Sequence, residues 1–190
     1  AAGSREVRGK NLGIVGYGNI GKQLSVLAEA MGMRVYYYDV DDKLALGNAV
    51  KCNSLEDLLS VSDVVTLHID DNKANKNFIG ERELNQMKKG AMLINLSRGF
   101  VVDIDALAES LKSGQVGGAA IDVYPDEPRS NGDFKTKLQG FPNVILTPHV
   151  GGSTEEAQRD IADFVPNKIM DYINSGNTVD AVNFPNIRLP

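Results

Sequence analysis

Tryptophan is absent, cysteine occurs once and histidine twice in 190 residues, and only 6% of the chain is aromatic. The lone Cys52 excludes an intrachain disulfide framework and a cysteine-built metal site, which fits a reducing compartment and makes the cytoplasm the expected location. His68 and His149 lie far apart with no HExxH-like pairing, so no metal site is expected. No apolar run approaches the ~20 residues that cross a bilayer. The opening Ala1-Ala2-Gly3-Ser4-Arg5-Glu6 also lacks the apolar core of a secretory signal. Neither a membrane partner nor export is expected. Basic charge is scarce as well: 20 lysines and arginines face 25 acids, for a net charge of -5, and they are scattered rather than clustered. That pattern offers no footprint for nucleic acid. Repeats and low-complexity tracts are missing too. What is left is an ordinary globular composition at a length suited to a single domain with a substantial core.

Apolar strand-like runs recur at Leu12 to Gly16, Arg34 to Tyr38, Val64 to Leu67, Ala91 to Asn95, Val116 to Ile121 and Val144 to Leu146. Helical spacing fills the gaps at Ile20 to Met31, Leu55 to Leu59, Glu81 to Met87 and Ile104 to Leu111, with Asp103 a candidate N-cap for the last. Near-continuous apolar strands alternating with amphipathic helices predict an α/β domain. Its parallel sheet is buried on both faces, and ligands lie at the carboxyl ends of the strands. A last helical pattern runs from Thr154 to about Tyr172, where Pro166 predicts a kink or a break and restart. Residues 178–190 read as an extended tail.

Between the first run and the first helix stands Gly16-Tyr17-Gly18-Asn19-Ile20-Gly21, with Asp39 ending the second strand eighteen residues beyond Gly21. GxGxxG alone is a weak signal, but strand, helix and spaced acid together make a dinucleotide fingerprint of a Rossmann-type doubly wound sheet. Gly16 permits the tight turn, Gly18 admits a pyrophosphate, and Gly21 lets the helix pack on the sheet. The helix N-terminus then offers unpaired N–H groups to the anion. Asp39 can accept from the ribose hydroxyls and repel a 2′-phosphate, so NAD is favoured over NADP. Asp41 and Asp42 add to the repulsion, no arginine lies between Tyr36 and Ala49, and Lys43 is the one residue that pulls the other way.

Three further polar residues follow strand ends, on the ligand side of such a sheet: Arg98 in Asn95-Leu96-Ser97-Arg98-Gly99, Glu127 in Asp122-Val123-Tyr124-Pro125-Asp126-Glu127-Pro128, and His149 in Thr147-Pro148-His149-Val150-Gly151-Gly152. Singly, each has a plain reading as a surface charge, a loop acid or a turn histidine. Together with the fingerprint, these segments closely resemble the D-isomer-specific 2-hydroxyacid dehydrogenases, over nearly the whole chain. Arg8-Gly9-Lys10, Tyr38-Asp39, Leu46-Gly47-Asn48-Ala49 and Ala181-Val182-Asn183-Phe184-Pro185 are similar to the branch whose substrate carries a phosphate.

The resemblance implies that His149 takes the C2 hydroxyl proton as hydride leaves for NAD, that Glu127 holds its ring and stabilises the charged form, and that Arg98 clamps the substrate carboxylate. It also implies cofactor contacts from Asn19 and Ile20 to the pyrophosphate, from Leu96, Ser97 and Arg98 along the nicotinamide, from Asp122 to the carboxamide, and from His149, Gly151 and Gly152 by close approach. For His68 two readings stay open: a border of the cofactor cleft, or a structural histidine satisfying loop carbonyls. The chain departs from the family pattern at Asp70, where proline is usual, and at Leu96, where alanine is common and a leucine crowds the nicotinamide side. Family members have two domains. The resemblance implies that residues 1–10 cross over from an absent substrate domain, 11–152 form the NAD-binding domain, 153–177 the returning helix, and 178–190 a linker. A homodimer through the NAD-binding domain is implied, as are NAD binding and poor turnover by this piece alone. The alternatives are a glyoxylate- or lactate-type dehydrogenase and a non-enzymatic NAD-sensing module on the same fold.

Overall fold

The computed structural model describes residues 4–128, 132, 134–179, 181 and 184. They fall into two compact units, the first ending at Pro148 and the second beginning at His149. Most of the expected tail lies outside the described residues.

In the first unit seven strands pair, among the described residues, into one parallel sheet ordered β3-β2-β1-β4-β5-β6-β7. The strands are β1 (Asn11–Val15), β2 (Arg34–Tyr38), β3 (Val50–Lys51), β4 (Val64–Leu67), β5 (Ala91–Asn95), β6 (Val116–Ile121) and β7 (Val144–Leu146). Four helices connect them: α1 (Asn19–Ala30), α2 (Leu55–Val61), α3 (Glu81–Gln86) and α4 (Ile104–Ser113). The doubly wound sheet read from the sequence is therefore the observed fold. The expected strands agree to within a residue, because the central ones are apolar runs largely buried on both faces; β7, at the sheet edge, leaves Ile145 exposed. Only β3 had no precursor in that reading. Two residues are too short for periodicity, and they are fixed by register, Tyr36 to Val50 and Tyr37 to Lys51.

Alternation along the strands divides the core. Leu12 and Ile14 face one side with Ala28, Val35 and Tyr37, while Val15 faces the other with Leu58, Val65, Leu67, Leu93 and Leu107. Helix ends are set by local chemistry. Ser54 accepts from Asp57 N at the start of α2, and Asp103 accepts from Asp105 N and Ala106 N at the start of α4, as the sequence suggested. Gly114, left-handed at φ 73°, ends α4. The chain order reverses between β1 and β4: β2 and β3 lie to one side of β1, and β4 to β7 to the other. That switch point opens a crevice at the carboxyl ends of β1 and β4.

The second unit is built on α5 (Glu155–Ser175), capped by Thr154, whose hydroxyl accepts from Ala157 N. The expected break at Pro166 does not occur: α5 is one 21-residue helix across the proline. The ring removes a single donor, the one that would serve the Ala162 carbonyl, while the Asn167 side-chain amide donates to the neighbouring Asp163 carbonyl at 2.9 Å.

Candidate functional site

At the switch point the fingerprint turn is built from its glycines. Gly16 has φ +90°, and a Cβ there would lie 2.4 Å from the His68 carbonyl oxygen, so the turn between β1 and α1 tolerates only glycine. A Cβ on Gly21 would sit 2.3 Å from the Gly16 oxygen, which is the close approach of helix to strand. Gly18 differs. Its φ is an ordinary -79° and a Cβ would meet nothing, so the folded chain itself does not require glycine here. The space beside it leaves the backbone open to close approach. Gly18 is also the N-cap of α1 and carries no side-chain cap. The N–H groups of Asn19, Ile20 and Gly21 precede the first intrahelical bond, from Lys22 N to the Gly18 oxygen, and point to the place where an anion fits.

Tyr17, given no role in the sequence reading, anchors this turn. It is fully buried, its ring stacks on Tyr37 at 3.8 Å, and its hydroxyl pairs with Ser25 Oγ at 2.7 Å and accepts from Leu46 N. Its own N–H donates to Asp39 Oδ2 at 2.7 Å. Asp39 Oδ1 accepts from Asp41 N at 2.9 Å. Each oxygen keeps a lone pair for a ribose hydroxyl. The fingerprint acid is thus held by the fingerprint itself.

The cleft measures about 420 Å³, with Gly16, Gly18, Asp39 and Lys43 on one side and His68 and Ile69 on the other. Of the two readings of His68, the structure shows a ring at the cleft whose hydrogen-bond partner is a hydroxyl on β4 rather than a loop carbonyl. It borders the cleft, and its Nε2 lies 3.0 Å from Thr66 Oγ1 while burial pushes its pKa below the ordinary histidine value. Among the described residues no cluster of three or more acids, histidines or cysteines could hold a metal. Burial pushes the Cys52 thiol upward, away from thiolate reactivity.

The loop after β5 is welded by Asn95, another residue whose role the sequence reading missed. Its buried Oδ1 accepts from Ser97 N and Oγ at 3.0 and 2.9 Å, and its Nδ2 donates to the Arg98 carbonyl at 3.0 Å. The signal was available: an amide at the end of an otherwise apolar buried strand. Arg98 donates through Nη1 to the Ser97 carbonyl at 2.8 Å, and its Nε lies 3.5 Å from Asp71 Oδ2. Leu96 stands 52% exposed. Gly99 permits this loop to press on the next one, since a Cβ there would lie 1.9 Å from the Tyr124 carbonyl carbon.

After β6, Asp122 accepts from the Thr147 hydroxyl. Glu127 Oε1 accepts from Tyr124 N at 2.9 Å, folding the carboxylate back on its own loop. Tyr124 spans toward β7, its hydroxyl 2.9 Å from the Thr147 carbonyl. Arg98, Asp122 and Glu127 thus all stand at strand ends of the first unit, tied together through β5, β6 and β7. His149, Gly151 and Gly152 belong to the second unit. There His149 has φ +52°, a left-handed conformation uncommon outside glycine that it shares, among the described residues other than glycine, with Asn77 at φ +53°. The Gly152 carbonyl accepts from the Gln158 side chain at 2.6 Å.

Residues 1–151 match the D-isomer specific 2-hydroxyacid dehydrogenase, NAD binding domain family. D-3-phosphoglycerate dehydrogenase of Escherichia coli K12 is 55% identical over all of this chain, which spans 47% of that protein's length. Among solved structures, the NAD-complexed D-isomer specific 2-hydroxyacid dehydrogenase of Lactobacillus delbrueckii ssp. bulgaricus superposes with a TM-score of 0.81 at 29% identity, over 95% of this chain and 58% of that one. A glyoxylate reductase from Paecilomyes thermophila superposes at 0.79 with 34% identity, over 91% and 52%. The open cradle at Gly18, the uncapped helix and the tethered Asp39 fit NAD as the cofactor. By sequence, by fold and by the fit of its switch-point cleft, the chain belongs to the D-isomer specific 2-hydroxyacid dehydrogenases, as the NAD binding domain of that family.

Proposed function

We propose that the chain is the NAD-binding half of a D-3-phosphoglycerate dehydrogenase, oxidising 3-phospho-D-glycerate to 3-phosphohydroxypyruvate in the cytoplasm, at the entry to serine synthesis. The observation that carries this reading is the 55% identity to the Escherichia coli enzyme across the whole chain, set against 34% for the glyoxylate reductase. That margin also speaks against a lactate- or glyoxylate-type enzyme and against a non-enzymatic sensor.

In the proposed reaction the C2 hydroxyl of the substrate loses a proton while the C2 hydrogen leaves with its electron pair. Bound NAD supplies the hydride acceptor at its nicotinamide. His149 takes the hydroxyl proton on a ring nitrogen and returns it in the reverse reduction. Glu127 is the carboxylate that orients that ring and stabilises it once charged. Arg98 clamps the substrate carboxylate and polarises the oxygen that becomes the 2-oxo group. The Ser97 carbonyl and Asp71 tether the guanidinium at 2.8 and 3.5 Å, just beyond the end of β5. Asn19 and Ile20 hold the pyrophosphate through backbone N–H groups. Leu96, Ser97 and Asp122 border the nicotinamide, and Gly151 and Gly152 let the backbone close on it. Residues 1–10 and 153–177 are proposed to connect to a substrate domain, and the NAD-binding half to form a homodimer.

Calorimetric titration with NAD and NADP, repeated on Asp39→Ala, tests the cofactor half: NAD is preferred, and the substitution narrows the preference. His149→Asn and Arg98→Gln, made in the intact protein, test the chemistry. Each is expected to lower kcat/KM for 3-phosphoglycerate by about 10² or more, in line with loss of an acid–base or charge-stabilising group. An intact protein that turns over glyoxylate or lactate better than 3-phosphoglycerate overturns the substrate assignment.

A further inference from the structure

The sequence contains one residue that opposes refusal of a 2′-phosphate, Lys43, and the structure shows what becomes of it. Lys43 lines the same cleft as Asp39 and is the only lysine or arginine among the described residues that does so. Its backbone is pinned, because the hydroxyl of the buried Tyr37 donates to the Lys43 carbonyl at 2.7 Å. Its side chain is spoken for: Nζ lies 2.8 Å from Asp41 Oδ2. Asp41 is itself fixed against the fingerprint acid, its N–H donating to Asp39 Oδ1. One step farther along the loop the same pattern repeats outside the cleft, where Lys51 is held by Asp42 at 2.6 Å.

We propose that Asp41 is a specificity residue that masks Lys43, occupying the one cleft cation able to hold the 2′-phosphate of NADP. The inference rests on the cleft being the NAD site. A lysine is a competent phosphate partner as a point charge. Lys43 Nζ donates to the Asp41 carboxylate, and that bond holds the lysine pKa above its ordinary value. The pair is partly exposed, with side chains 32% and 68% accessible, and exposed pairs are weak. Selectivity therefore depends on two layers: Asp39 repels the 2′-phosphate directly, and Asp41 withholds the lysine that could offset that repulsion. Removing the second layer while keeping the first shifts selectivity toward the phosphorylated cofactor, and the share of that shift that runs through Lys43 is the share lost when Lys43 is removed as well.

The test titrates the chain with 5′-ADP and with 2′,5′-ADP, the adenosine halves of NAD and NADP, by calorimetry, using the unaltered protein, Asp41→Asn, Lys43→Met and the double variant. The readout is the ratio of the two affinities, and the 5′-ADP arm reports an intact cleft. Asp41→Asn is expected to move the ratio toward 2′,5′-ADP by about two- to fivefold, the equivalent of a single weak charge pair. In the double variant the gain disappears. A gain that survives Lys43→Met would show only relief of acid repulsion and overturn the proposal, as would an unchanged ratio in Asp41→Asn. If NAD and both probes fail to bind the unaltered chain, the cleft assignment falls first, and this inference falls with it.

Discussion

Gly18 and Gly21 stand three residues apart in one turn, yet they are there for different reasons. A Cβ at Gly21 collides with backbone at 2.3 Å, whereas at Gly18 it enters open space at an ordinary φ. Gly21→Ala is therefore expected to destabilise the fold by roughly 1–3 kcal/mol, as overpacking does, visible as a lowered Tm. On the proposed placement of the pyrophosphate at this turn, Gly18→Ala should leave Tm within a few degrees yet weaken NAD by about tenfold or more. His68 supports a second prediction at this scale. Its folded-state pKa is depressed by burial, so below about pH 6.5 the unfolded chain binds the proton that the folded chain refuses. Stability from this group is complete above that pH and is lost as pH falls toward the folded value. Melting curves between pH 8 and pH 5 should show a decline that His68→Asn flattens. The sequence displayed residues whose type is rare in its setting, such as the three glycines and Asp39. It hid those that work through neighbours: Tyr17 and Asn95 each hold a site residue by hydrogen bonds between groups brought together only by the turn.

Strands were the most legible elements, because burial on both faces leaves a near-continuous apolar run whose ends are marked by polar turn residues. α4 was legible at its start, where Asp103 caps two N–H groups, and continues two residues beyond Leu111 to its left-handed Gly114. Asp103→Ala is expected to cost about 1 kcal/mol, read as a lowered urea midpoint with an unchanged m-value. Of the two outcomes expected at Pro166, a kink or a break and restart, the break does not occur, because one missing bond does not outweigh the rest of a 21-residue helix. The helix has Thr154 and Gly176 at its ends, two acids in its first turn and the Asn167 amide at the damaged turn. These contributions act along one continuous element, while the proline's defect is confined to one turn. Pro166→Ala should therefore raise far-UV helical signal only slightly, because the helix is already whole, yet stabilise it by up to about 3 kcal/mol.

At the scale of the whole chain, the cofactor fingerprint and the residues assigned to chemistry are distributed differently. Gly16 to Gly21, Asp39 and the cleft between β1 and β4 lie within the first unit, where the sheet and two core clusters fix them. Arg98 and Glu127 are in that unit as well, but His149 opens the second, whose long helix has no buried residue and leaves Ile161, Phe164, Ile169 and Tyr172 about half exposed. The chain also spans only 47% of the Escherichia coli relative. Dinucleotide binding asks for a rigid turn, an uncapped helix and one acid, all of which one sheet supplies. Hydride transfer asks for more: a substrate held against the acceptor, and water excluded around both. The two capacities should therefore separate in this chain. Calorimetry is expected to find NAD binding, while 3-phosphoglycerate oxidation followed at 340 nm falls by about 10³ or more relative to an intact enzyme of the family, the scale of lost positioning. Turnover by the 190 residues alone at a rate near that of the intact enzyme would mean that the first and second units already hold the whole catalytic apparatus, and that the other half of the relatives' length serves something other than the chemical step.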